Sequence, residues 1–130
     1  AVRYRGRAAD QCRTAATFQI LTRMQQIPVQ MLDQWLRDPS RSRPVLLDVR
    51  EDVEFGICHL PGSQHIPMQE ITQRTNEIDD EAPTVVICHH GLRSMQVALY
   101  LEQLGFTDLY NLQGGIDAWA RQIEPSMPRY

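Results

Sequence analysis

The 130 residues contain no lysine; all 13 basic residues are arginine. That absence excludes a Schiff-base lysine and a phosphate-loop lysine, so chemistry built on either is closed to this chain. Cysteine is nearly as scarce, with Cys12, Cys58 and Cys88 far apart and no Cys-x-x-Cys pair. Paired zinc ligands are therefore missing, and an odd count leaves one thiol unpaired in any intramolecular disulfide scheme. This fits a reducing compartment, and we expect a cytoplasmic protein. No apolar run approaches the roughly 18 residues of a membrane span, so no membrane partner is expected. An excess of positive charge is also lacking: the net charge is −3, which argues against nucleic acid, whose phosphates need a basic surface.

What is present is the make-up of one globular domain. A hydrophobic content of 42% with 22% charged residues lies far from the disordered range, and the length suits a single substantial core. Charge is unevenly spread. Residues 1–23 carry five arginines against Asp10, for +4, while the other 107 residues carry eight arginines and fifteen acids, for −7. We expect residues 1–23 to be a basic extension, left by an expression vector or an upstream start, and the domain to occupy 24–130.

From Met24 onward helical and extended patterns alternate. "PVQMLDQWL" sets Val29, Leu32 and Leu36 on one helical face, with Pro28 in the first turn. "VLLDV" (45–49) reads as a buried strand and "SQHIP" (63–67) as a short one. "MQEITQRTNEI" predicts a helix over 68–78, "TVVIC" (84–88) the best strand, and "LRSMQVALYLEQL" a helix over 92–104 ending near Gly105. "DLYNL" is a last strand, and "GGIDAWARQI" places Ile116, Trp119, Ala120 and Ile123 at helix-face spacing. Strands separated by helices imply an α/β domain: a mainly parallel sheet of about five short strands, flanked by helices on both faces. Ligands then bind beyond the carboxyl ends of the strands, where Asp48 and Cys88 fall.

"TVVICHHGLRS" (84–94) concentrates the candidate chemistry. A cysteine ending a strand, then a glycine-containing loop and a helix, sits where unpaired helix amides and the helix dipole favour a negative charge. Arg93 adds a full positive charge, and together they favour a nucleophilic thiolate. An inert buried thiol would leave Gly91 and Arg93 as accidents. A metal set is disfavoured, because Cys88, His89 and His90 are consecutive and zinc ligands are usually spaced; no metal and no cofactor is expected. His89 and His90 are then solvent-facing residues at the pocket mouth. Asp48 and Arg50 either brace the cationic loop or end the strand as solvent-facing charges, and both readings stay open.

Four blocks in order, "LLDVRE" (46–51), "EFGICHLPGSQHIP" (54–67), "VVICHHGLRS" (85–94) and "NLQGGIDAW" (111–119), resemble the signature blocks of single-domain rhodaneses over about residues 25–123. The resemblance implies a rhodanese-like α/β domain and a sulfurtransferase of the thiosulfate type. Cys88 would take a sulfur from a small-molecule donor such as thiosulfate, hold it as a persulfide, and pass it to cyanide, a thiol or an acceptor protein. It further implies an anion-cradling loop of His89, His90, Gly91, Leu92, Arg93 and Ser94, whose amides hold the terminal sulfur while Arg93 orients the donor. Phosphatases and arsenate reductases of related fold are the alternative enzymes, but the loop of cell-cycle phosphatases has five residues between cysteine and arginine where this chain has four, a sulfur-sized cradle. A non-catalytic protein-binding module is the alternative outside enzymes. One departure stands out: the family usually has glycine immediately before His59, and this chain has Cys58, read as a tolerated substitution at a turn, or as a thiol that accepts sulfur or pairs with Cys88. By the same resemblance His59 is structural.

Overall fold

The computed structural model describes residues 23–130, so the expected extension lies, but for Arg23, outside the described residues. Five strands form one sheet: β1 (Gln25–Ile27), β2 (Val45–Asp48), β3 (Gln64–His65), β4 (Thr84–Ile87) and β5 (Leu109–Leu112). Their order is β1-β5-β4-β2-β3, and every pairing is parallel. The five α-helices are α1 (Val29–Arg37), α2 (Asp52–Ile57), α3 (Ile71–Arg74), α4 (Leu92–Gln103) and α5 (Gly115–Gln122).

The period of two in the strands explains the layering. On β4, Val85 and Ile87 face one core with Leu46, Leu112, Val29 and Leu32 of α1, and Ile116 and Trp119 of α5. Val86 and Cys88 face the other, with Leu47, Ile71, and Val97, Ala98 and Leu101 of α4. Both faces are thus covered, which is why β4 is apolar and buried throughout.

Three elements differ from the sequence reading. The expected helix over 68–78 is a 3₁₀ turn (Met68–Glu70), the short α3, and a second 3₁₀ turn (Thr75–Glu77). Ile71, Thr72, Thr75 and Asn76 are weak helix formers, and the segment is held by burying Ile71 and Ile78. β1 and α2 were not expected. β1 has only three residues and exists by pairing with β5. α2 buries no residue and leaves Val53 exposed, but Glu51 and Glu54 close a reciprocal capping box at its start.

The topology positions the site. The chain steps outward from β2 to β3 on one side and from β4 to β5 on the other. The connections therefore part between β2 and β4, the position in such sheets at whose carboxyl side ligands bind. Asp48 ends β2, and Cys88 follows β4 directly.

Candidate active site

Cys88 is buried directly after β4, at the start of a loop that turns into α4. The turn depends on Gly91, whose φ of 105° lies in the left-handed region. A Cβ there would also come within 3.3 Å of the Leu112 carbonyl oxygen and the Gly114 nitrogen. The loop's outer edge is held by α5. Ile116 N–H donates to the Cys88 carbonyl (2.8 Å) and Asp117 N–H to the His89 carbonyl (3.0 Å). Because these peptides are trans, the His89 and His90 amides point away from α5. Gly91 N–H donates to Cys88 Sγ at 3.0 Å.

Ser94 Oγ lies 3.3 Å from Sγ and hydrogen-bonds Asn111 Oδ1. Asn111 Nδ2 donates to Gln26 Oε1 (2.7 Å) and to the Gly91 carbonyl (3.1 Å), so its oxygen is the end turned to Ser94. The serine proton goes to Asn111, and the hydroxyl oxygen is left to accept from the thiol. β1, β5 and α4 are thereby tied together beneath the sulfur.

Arg93 is not free in the loop. Its Nη1 and Nη2 donate to the two oxygens of Glu54 at 2.8 and 3.0 Å. Glu54 also accepts from the Glu51 amide (3.0 Å) and from the Tyr130 hydroxyl (3.2 Å). The Arg93 hydrogen bonds are the main reason that the Glu54 carboxyl is lowered from 4.5 to about 2, against the opposing effect of burial. A lowered carboxyl stabilises the fold only while it is ionised. Its contribution is therefore complete above about pH 4.5 and is lost as pH falls towards 2. Urea unfolding should show wild type more stable than Glu54→Gln above pH 4.5, with the gap closing at lower pH; a constant gap would contradict the linkage.

Asp48 and Arg50 form a fully buried pair, with Nη2 to Oδ2 at 2.7 Å and side chains 1% and 0% exposed. The solvent-facing reading of these charges is thus corrected. Burial opposes the Arg50 charge, but the Asp48 hydrogen bonds and charge outweigh it and raise the arginine above its ordinary value. Arg50 also donates to the carbonyls of Glu54 (3.2 Å) and Cys58 (2.6 Å) and to the Tyr130 hydroxyl (2.8 Å). Through Tyr130 and Glu54 it is linked to Arg93 of the cysteine loop.

His90 and Leu92 are exposed, as rim residues would be, but His89 is not. The His89 ring is half-buried against the Tyr130 ring at 4.2 Å, and its Nδ1 is a buried atom without a hydrogen-bond partner. Burial lowers its pKa, with the neighbouring His90 acting in the same direction. Among the described residues the set that could hold a metal is His89, His90 and Asp117, whose ligand atoms lie within 4.8 Å of one another. Asp117 already binds Arg121 at 3.0 Å. Cys58 and Cys88 are both free and pack in the cores on opposite faces of the sheet, which does not favour their pairing. His59 and His65 each stack on Phe55, at 3.8 and 4.2 Å.

The residues that the sequence did not single out are Glu54, Asn111, Gly115 and Tyr130. Only Glu54 had a local signal, its capping-box spacing from Glu51. Tyr130 reaches the site across 76 residues and Asn111 reaches Gln26 across 85, which no local pattern reveals.

A family model described as "Rhodanese-like domain" matches residues 29–122. Among curated relatives, the rhodanese-like/PpiC domain-containing protein 12, chloroplastic, of Arabidopsis thaliana is 38% identical over 109 residues, covering 80% of this chain and 36% of the relative. The thiosulfate sulfurtransferase GlpE of Pseudomonas fluorescens is 39% identical over 75 residues, covering 58% of this chain and 69% of the relative. This chain thus spans about a third of the first relative's length. Among solved structures, a rhodanese-like domain protein from Staphylococcus aureus superimposes with a TM-score of 0.68 at 31% identity, covering 74% of this chain and 91% of that one. No helix among the described residues is long and apolar enough to cross a membrane.

Proposed function

Because the chain belongs to the rhodanese-like domain family, we propose that it is a sulfurtransferase in which Cys88 carries sulfur as a persulfide between a small-molecule donor and a thiophilic acceptor. The observation that carries this is the Gly91 amide on Cys88 Sγ at the floor of a loop between β4 and α4. A thiolate there has an N–H donor and a helix N-terminus beside it, the environment that activates cysteine.

With thiosulfate as donor, the Cys88 thiolate attacks the outer sulfur. A new S–S bond forms to Cys88, the S–S bond to the sulfonate breaks, and sulfite departs with the bonding electron pair. In the second half, cyanide or a thiolate attacks the outer sulfur of the persulfide. The Cys88–sulfur bond breaks, thiocyanate or a new persulfide leaves, and the Cys88 thiolate returns. Sulfur exchange of this kind needs no cofactor and no metal. Residues 24–130 would be the catalytic domain. The His89–Ser94 amides would surround the terminal sulfur, with Asp48 and Arg50 as the buried support. An acceptor protein would meet the loop at exposed His90 and Leu92; nucleic acid and membrane play no part, and the reaction is placed in the cytoplasm. Four residues between Cys88 and Arg93, with Arg93 engaged by Glu54, support a sulfur-sized site over a phosphatase cradle.

Wild-type protein treated with thiosulfate should gain one sulfur atom, mapped by peptide mass spectrometry to Cys88. Cyanide should then remove it as thiocyanate. Cys88→Ser should gain none there. Absence of the adduct would remove thiosulfate as donor, absence with an alkyl persulfide as well would sink the proposal, and so would aryl-phosphate hydrolysis that Cys88→Ser abolishes.

A further inference from the structure

Arg93, the cation expected to draw an anionic donor, already has its charge matched by Glu54 at 2.8 and 3.0 Å. The carboxylate is clamped. Arg50 donates to the Tyr130 oxygen at 2.8 Å, and a guanidinium accepts nothing, so the phenol's own proton is directed to Glu54. Arg50 is in turn neutralised by buried Asp48. Burial, first among several causes, raises Tyr130 to about 12, which keeps the phenol protonated and donating at neutral pH. Once Cys88 ionises, this linked group of Asp48, Arg50, Glu54, Arg93 and Cys88 carries one net negative charge. The whole chain carries a net charge of −3. A dianion approaching such a site is repelled, whereas a donor with at most one charge is repelled less.

We propose that Glu54, clamped by Tyr130, is the residue that sets donor choice, disfavouring doubly charged thiosulfate and favouring sulfane sulfur carried on the sulfur of an uncharged alkyl thiol, as in alkyl persulfides. The inference rests on the sulfurtransferase reading above. The favoured step balances without an added oxidant or reductant. The Cys88 thiolate attacks the terminal sulfur of R–S–SH, a new S–S bond to Cys88 forms as the donor's own S–S bond breaks, and R–S⁻ leaves with the electron pair. The products are Cys88–S–SH and a thiolate.

The test measures the second-order rate constant for loading Cys88, read by mass from quenched samples, with thiosulfate and with ethyl persulfide. Glu54→Gln keeps one oxygen for Arg93 Nη1 and the Glu51 amide, removes the charge, and puts an amide donor where the other oxygen accepted from Arg93 Nη2 and Tyr130. The thiosulfate-to-persulfide ratio of rate constants should rise about tenfold in this variant, since like charges across a site cost that much or more. Should the variant fold poorly, wild type alone decides. Added sodium chloride should speed loading from thiosulfate by screening the repulsion, and should affect the persulfide less. An unchanged or lower ratio in the folded variant, or slowing by salt, overturns the assignment of Glu54. Failure of wild-type Cys88 to load from either donor instead overturns the sulfurtransferase reading, and this inference falls with it.

Discussion

Replacing Gly115 with alanine is expected to destabilise the fold by roughly 2–5 kcal/mol, the sum of a left-handed backbone penalty and local overpacking. Gly115 sits at φ 62°, where a side chain is disfavoured. More seriously, a Cβ there would overlap the carbonyl oxygens of Cys88 and His89 and lie 2.6 Å from the His89 carbonyl carbon. These atoms are backbone and cannot swing aside. They are also the groups that the first amides of α5 grip, so relief of the clash must move the cysteine loop itself. We therefore expect a midpoint of thermal unfolding lower by roughly 7–18 °C. Loading of Cys88 should slow by up to about a hundredfold, as misplacement near 1 Å can cause. Gly56→Ala is the control: no atom lies within 4 Å of its Cβ, it is helical, and it should be neutral or slightly stabilising. Circular dichroism melts and the mass assay together check both effects. A Gly115→Ala protein as stable and as fast as wild type would contradict the close approach of α5 to the loop.

That contact also marks where the sequence stopped being legible. The placement of Cys88 was readable because "TVVIC" is an unbroken apolar run and the next periodic segment starts at Leu92, so strand, loop and helix follow from local pattern alone. The layering was readable for the same reason, since helices between strands force parallel crossovers. β1 was not readable, because "QQI" has no strand pattern of its own and its order comes from β5. The state of Arg93 was not readable either. Spacing put it beside the cysteine, but its partner Glu54 lies 39 residues away on a helix that buries nothing. The two readings of Asp48 and Arg50 could be separated only by burial, a property of the whole fold. The carboxyl end of β2 lies between β3 and β4 and under the Cys58 carbonyl and Tyr130, where no solvent reaches the pair.

Asp48→Ala is accordingly expected to cost about 3–5 kcal/mol, because it leaves a buried guanidinium without its counter-charge. Arg50 cannot escape by losing its proton, since arginine stays protonated in proteins. Its remaining partners are two carbonyls and a phenol, which do not neutralise it. The side chain must then either stay and bear the penalty or swing towards solvent. Swinging out would release the Cys58 and Glu54 carbonyls and free the Tyr130 hydroxyl from its fixed orientation. The double variant Asp48→Ala/Arg50→Met separates these possibilities. With the stranded charge gone and an apolar chain of similar reach in its place, the double variant should be more stable than Asp48→Ala alone, even though it carries one more change. Urea unfolding at neutral pH measures both. A double variant less stable than Asp48→Ala would show that Arg50 stabilises the fold mainly through its carbonyl and phenol bonds. An Asp48→Ala cost below about 1 kcal/mol would mean that the pair behaves as an exposed one. The expected order, wild type above the double variant above Asp48→Ala, follows only if the ion pair is enclosed and its two charges depend on each other.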